Sequence, residues 1–156
     1  MATIVNDTTN KQALVPVSEQ MLLVNYVIEL IKDSGFFKNL DIKINFLDAD
    51  KDCMCVRLSD DNVKTHEYVD GSYDAQIRFS LIYRKLNISG VSERVNTIDL
   101  INQFGIFLES LDYFEFEHGT INIDSISQLT NAGLIYRDSS GIEDNSANFI
   151  LRYENN

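Results

Sequence analysis

The pattern of apolar and polar positions changes period along the chain. Met21, Leu22, Leu23, Val24, Tyr26, Val27, Ile28, Leu30 and Ile31 leave only Asn25, Glu29 and Lys32 as a polar stripe, at spacings of four and three. That spacing predicts a helix with Ser18 as N-cap, Glu19 and Gln20 near the positive end of its dipole, and Gly35 as its stop after Ser34. Strands follow at about 41–47 and 53–58. An Asp70-Gly71 pair then suits a type I′ turn between arms near 63–69 and 72–86. In the second arm Ala75, Ile77, Phe79, Leu81 and Tyr83 share one face, and Gln76, Arg78, Ser80 and Arg84 share the other, with Ile82 as an exception. Such alternation marks an antiparallel sheet with one buried face.

A second helix is predicted from about Ser92 to Leu111, carrying Val95, Ile98, Ile101, Phe104, Leu108 and Leu111 at helical spacing, with Gly105 permitting close packing. A last β region covers about 120–130, 133–137 and 145–153, with Ser140-Gly141 as the turn of its closing hairpin. The fold class is therefore α+β: two helices packed on a largely antiparallel β-sheet, in the order helix, strands, helix, strands. Residues 1–16 mix Thr, Asn, Asp, Lys and Gln without a period and end at Pro16, the only proline. They read as a flexible arm ahead of a single domain at 17–156.

The first helix is apolar almost all round, whereas one small core covers a face of roughly 100° or somewhat more. Its excess predicts deep burial or cover by another subunit, which makes Met21, Leu22 and Tyr26 candidate subunit-interface residues. The hairpins also echo each other. Gly71-x-x-Asp74-x4-Phe79-x-Leu81-x-Tyr83 recurs as Gly141-x-x-Asp144-x4-Phe149-x-Leu151-x-Tyr153, an offset of 70 residues. Convergence of two half-buried strands and a true duplication explain that echo equally well.

Composition narrows the function. The 156 residues are 44% hydrophobic, enough for one sizeable core. Thirteen basic against 24 acidic residues leave a net charge of −11, which argues against a general nucleic-acid binder and against docking on anionic lipid. The densest apolar run, Met21 to Ile31, is about half the length of a membrane span. The first residues lack the basic start and apolar stretch of a secretory signal, so synthesis in the cytoplasm is expected. Cys53 and Cys55 lie two apart in a predicted strand, where parallel side chains bridge poorly.

Candidate chemistry is thin. Asp48-x-Asp50-x-Asp52 opens like a calcium loop, but Cys53 stands at the turn glycine's place and Ser59 at the bidentate glutamate's, so an acidic turn is expected. Cys53, Cys55, His66 and His118 lack the paired spacing of a zinc site. Asp60-Asp61 and Glu115-Phe116-Glu117-His118 place carboxylates side by side, as any acidic surface does. No nucleophile elbow or phosphate-cradling glycine loop is present, and the triplet Asn87-Ile88-Ser89 matters only in a secreted chain. No catalytic residue, metal or cofactor is assigned, and the expectation is that the chain is not an enzyme.

The long arm Ala75–Arg84, the ending Asn145–Tyr153 and the helix Val95–Leu111 between them resemble the tail-terminator and minor-capsid proteins of long-tailed phages, small α+β proteins with this element order. The likeness spans roughly residues 18–153. It implies a structural virion protein made in the host cytoplasm: a ring, hexameric in that family, at the head-proximal end of the tail tube. The ring's partners would be the tube protein, the head connector and like subunits. Genomic DNA would pass through its bore without specific binding, past a wall to which Asp48, Asp50, Asp52, Asp60, Asp61, Glu115 and Glu117 are the candidate contributors. Rival readings are another head-tail connector or completion protein, an acidic DNA mimic that inhibits a basic nucleic-acid-binding protein, and an enzyme whose site forms only on folding.

Overall fold

The computed structural model describes residues 13–156. Two helices, α1 (Val17–Ser34) and α2 (Val91–Glu109), cover one face of a seven-stranded, mostly antiparallel sheet, so the fold is α+β in the expected element order. The strands are β1 (Asp41–Ile44), β2 (Cys53–Leu58), β3 (Val63–Glu67), β4 (Tyr73–Lys85), β5 (Ile121–Gln128), β6 (Gly133–Arg137) and β7 (Glu143–Asn155). The sheet runs β1-β2-β4-β7-β5, with β3 beside β4 and β6 beside β7. Among the described residues only β1 and β2 pair in parallel, and the loop between them crosses the outer face of the sheet.

The architecture is organised about β4 and β7, which pair along their whole length from Tyr73↔Asn155 to Lys85↔Glu143. Phe79 faces Phe149 at the middle of that register, their rings stacked at 5.3 Å and 5°. These two phenylalanines are also the counterparts under the 70-residue offset, so a local two-fold axis passes between them. Around it the halves match. β6 is β3 displaced by 70 residues, and each carries a bulge at the same place, Lys64/His66 and Leu134/Tyr136. Ser59 N–H donates to Arg78 C=O as Leu129 N–H donates to Asn148 C=O. The echo is thus a structural repeat.

The hairpin turns differ from the expected type I′. Asp70 does not take the positive φ that a type I′ turn demands, and only Gly71 does, at φ 91°. Gly71 N–H donates to Tyr68 C=O and Tyr68 N–H to Ser72 C=O, giving a three-residue loop closed by a left-handed glycine. Gly141, at φ 93°, closes the second hairpin in the same way between Asp138 and Ile142. One helix start also differs. α1 begins at Val17 with Pro16 as N-cap and no side-chain cap, so Ser18 lies inside the first turn, whereas α2 opens at Val91, beside Ser92 as expected, with Gly90 as its N-cap. Gly35 does end α1, at φ 76°.

The core is apolar and aromatic. Leu23, Val24, Val27, Leu30 and Ile31 of α1 and Ile101, Phe104 and Leu108 of α2 bury against Met54, Val56, Ile77, Leu81, Leu151 and Tyr153. Phe104 rests 6.0 Å from Phe149 and 6.1 Å from Phe37. The outer face is not wholly wet: Ile82 is buried beside Cys55, its register partner, and the β1–β2 loop closes over Cys53 through the Asp48 amide, 3.3 Å from Sγ. Of the expected arm, residues 1–12 lie outside the described residues. Ala13–Val15 are placed: they line the free side of β3, Val15 is buried, and Lys64 N–H donates to Ala13 C=O at 2.8 Å.

Gly105 is where α2 approaches β5 most closely, since a Cβ built there would lie 1.9 Å from Gln128 Oε1 and 3.1 Å from its Cβ. Gly105→Ala is therefore expected to lower stability by about 1–2 kcal/mol, because overpacking outweighs the gain in helix propensity. Thermal unfolding checks this, and adding Gln128→Ala should cancel part of the loss.

Candidate interaction surfaces

Each helix is tied by its first turn to the start of a long strand. Glu19 lies one turn ahead of Leu23 and two ahead of Val27, on the apolar stripe, so folding carries its carboxylate into the interior. There Oε1 accepts from the Tyr73 hydroxyl and from Asn155 Nδ2, both at 2.6 Å, and Oε2 accepts from the Tyr153 hydroxyl. Burial and the adjacent carboxylate push the Tyr73 hydroxyl up to about 12 and raise that of Tyr153 as well. In α2 the tie has the opposite polarity: Arg94 donates two bonds of 2.7 Å to buried Glu143 and holds its carboxyl below the ordinary range. Sequence reasoning gave Glu19 only a dipole role. Its place on the stripe was the signal that it would be buried.

The candidate interface and part of the candidate acidic surface come together. Tyr26 meets Phe116 edge-on at 5.2 Å, so the chain's own 112–118 segment lies along α1. Leu22, Asn25, Tyr26, Glu29, Phe116 and Glu117 line a groove of about 530 Å³. A neighbouring one, of similar volume, adds Asp33, Asp112, Tyr113 and Glu115. Apolar centres are thus rimmed by carboxylates, and the Tyr26 hydroxyl is raised by burial first and then by Glu115, Glu29 and Asp33. Leu22 is 39% exposed, while Met21 and Tyr26 are half-buried, so the chain itself covers much of the apparent apolar excess of α1.

The other acidic residues do not join them. In the β1–β2 loop Asp48 pairs with Lys43 at 3.0 Å, Asp52 accepts from the Leu86 amide at 2.8 Å, and Asp50 is exposed. These carboxylates turn to different partners, and no metal-holding group of His, Cys, Asp or Glu is found among the described residues. Asp60 and Asp61 sit exposed in the β2–β3 connection. Cys53 and Cys55 are buried free thiols pushed up by desolvation, which disfavours the reactive thiolate. His66 meets Tyr68 edge-on and His118 lies tilted against Phe116, in separate parts of the fold.

Two further surfaces were not read from the sequence. The free side of β6 pairs with nothing among the described residues and exposes Leu134, Ile135 and Tyr136, whereas its counterpart β3 is polar there and lined by Ala13–Val15. On the outer face of β2, β4 and β7, Arg57 and Arg78 flank a cleft of about 410 Å³ at the local two-fold axis. No helix of the described residues is long and apolar enough to cross a membrane. Comparison with known proteins finds no family model that matches the chain and no curated protein that matches it.

The ties of Glu19 predict an alkaline limit to stability. A tyrosine whose folded pKa is raised contributes stability that is present below its ordinary value near 10 and lost as pH rises through the folded value. Melting temperature should therefore hold to about pH 9.5 and fall between about 10 and 12. Tyr153→Phe should cost about 1–3 kcal/mol at neutral pH, by depriving a buried carboxylate of a donor, and should flatten the alkaline fall. Melting curves across pH for both proteins provide the check.

Proposed function

We propose that this protein is a structural component of a long-tailed phage, a tail terminator. It forms a ring on the head-proximal end of the tail tube, stops tube growth and offers its far face to the head connector. The observation that carries the reading is the presence of surfaces of different character that no other described residue covers: the acid-rimmed groove over Leu22 and Tyr26, and the apolar edge of β6. A ring needs two unlike patches per subunit, because head-to-tail contacts close only when one surface meets another. The resemblance in the long strands and in the helix between them supplies the phage assignment, and the element order agrees with it.

Charge supports the same reading. A net −11 cannot reside in the core and must lie on surfaces, where it repels DNA over a Debye length of about 8 Å at physiological salt. Asp50 and Asp60 are exposed and suit a bore wall better than Asp48, whose charge is offset by Lys43, or Asp61, which reaches the cleft beside Arg57 and Arg78. Within this reading the purified protein shows no measurable binding to duplex DNA even at low salt. A fluorescence-anisotropy titration that found tight binding would remove the bore mechanism.

The function is tested by assembly. Light scattering behind size exclusion should give a multiple of 17.8 kDa. Leu22→Glu should shift that mass toward monomer, with native circular dichroism and a melting temperature within a few degrees. Added to the polymerising tube protein of the same phage, the wild type should stop elongation, as measured by tube length in electron micrographs. Tubes that grow unchanged would rule out termination.

A further inference from the structure

Arg57, Arg78 and Arg152 form a diagonal stripe across the outer face of the sheet. The register places Arg57 opposite Ser80, two residues from Arg78, and Arg78 opposite Ile150, two residues from Arg152. Diagonal neighbours of this kind lie about 7–8 Å apart. All three are exposed, and among the described residues none is in an ion pair, whereas Arg84, Arg94 and Arg137 each are. Ser59, Ser80 and Asn148 add hydroxyl and amide groups to the cleft that Arg57 and Arg78 flank. Asp61 reaches the same cleft, but its carboxylate is engaged by the Ser59 hydroxyl. A chain with almost twice as many acids as bases has thus gathered at the centre of its sheet three guanidinium groups that form no ion pair among the described residues. Asp74 and Glu154 lie beyond Arg152 on the same face, and the stripe is a seat for an anionic, hydrogen-bond-accepting partner.

We propose that this stripe receives the acidic, aromatic segment Asp112–Glu117 of a second copy of the chain, so that the self-contact runs head to tail. The proposal rests on the ring reading above and pairs the acidic segment beside the groove with the arginine stripe, leaving the β6 edge outside this contact. Asp112, Glu115 and Glu117 of that segment are exposed, and Tyr113, 70% exposed, is placed to stack on a guanidinium plane. The segment lies against α1 on the helix layer, while the stripe lies on the opposite face of the sheet, so one copy cannot satisfy both from within itself. Opposite charge on unlike patches makes the contact heterologous and gives it a defined register. The closing ring buries carboxylates that would otherwise repel across neighbouring subunits.

The test is a charge exchange on the full chain, read by sedimentation velocity at about 50 mM and 500 mM salt. Arg78→Glu, and separately Glu115→Arg with Glu117→Arg, should each weaken self-association at least tenfold, most strongly at low salt. The combined variant should recover association. Arg78→Gln, which keeps a polar side chain, should show a smaller loss, and circular dichroism guards against unfolding in each. A wild type that stays monomeric at all concentrations would overturn the ring reading together with this inference. An oligomer indifferent to either charge reversal would overturn the inference alone. Loss without recovery in the combined variant would show that another group occupies the stripe. Duplex DNA binding by the wild type that Arg78→Glu abolishes would make the stripe a phosphate seat instead and reject the segment as its partner.

Discussion

The thirteen-residue antiparallel pairing of β4 with β7 is the constraint on which the rest of this structure depends. It joins residues about 70 apart in sequence, closes the two halves of the domain on each other and sets Phe79 against Phe149 at their common centre. Four further strands attach to these two, β2 and β3 end to end along β4, β5 and β6 end to end along β7, and β1 adds to the outside of β2. Both helices then have a single apolar floor to cover. The strands of the two halves are counterparts in the repeat, but the second helix packs closely on β7, β5 and β4 whereas the first sits further from the sheet.

That symmetry makes the differences between the halves informative. The tie of α1 is a buried carboxylate held by two tyrosines and an asparagine, while that of α2 is a buried carboxylate on the strand held by arginine. Both follow one rule: a charge taken from water must be matched by donors already fixed in place, since an unmatched one costs several kcal/mol. The outer edges diverge in the same instructive way. β3 is lined by Ala13–Val15, and its counterpart β6 shows apolar side chains with no strand beside it among the described residues. An edge of that composition invites pairing with another strand.

Surface charge divides along the layers of the fold. Carboxylates collect around Tyr26 and Phe116 on the helix side, while three arginines without ion-pair partners among the described residues cross the outer sheet face. A large net negative charge therefore coexists with a local positive stripe, and it is the arrangement rather than the total that carries specificity.

Much of this was legible in the sequence. Helical spacing located both helices and alternation located β4, because side-chain periodicity is a local property of the backbone; the Gly71 and Gly141 motifs showed the echo without deciding between convergence and duplication. The type I′ turn was misread because Asp-Gly suits two loop lengths, and only the paired strands choose between them. The N-cap of α1 was misread as Ser18 because Pro16 starts that helix through backbone geometry without a capping side chain. What tertiary structure alone decided is which distant residues meet: Glu19 with Tyr153, Tyr26 with Phe116, and Arg57, Arg78 and Arg152 in one line. Sequence records which face each residue occupies on its own element. The register between elements, set by the packing of Phe79 on Phe149, determines what lies beside it.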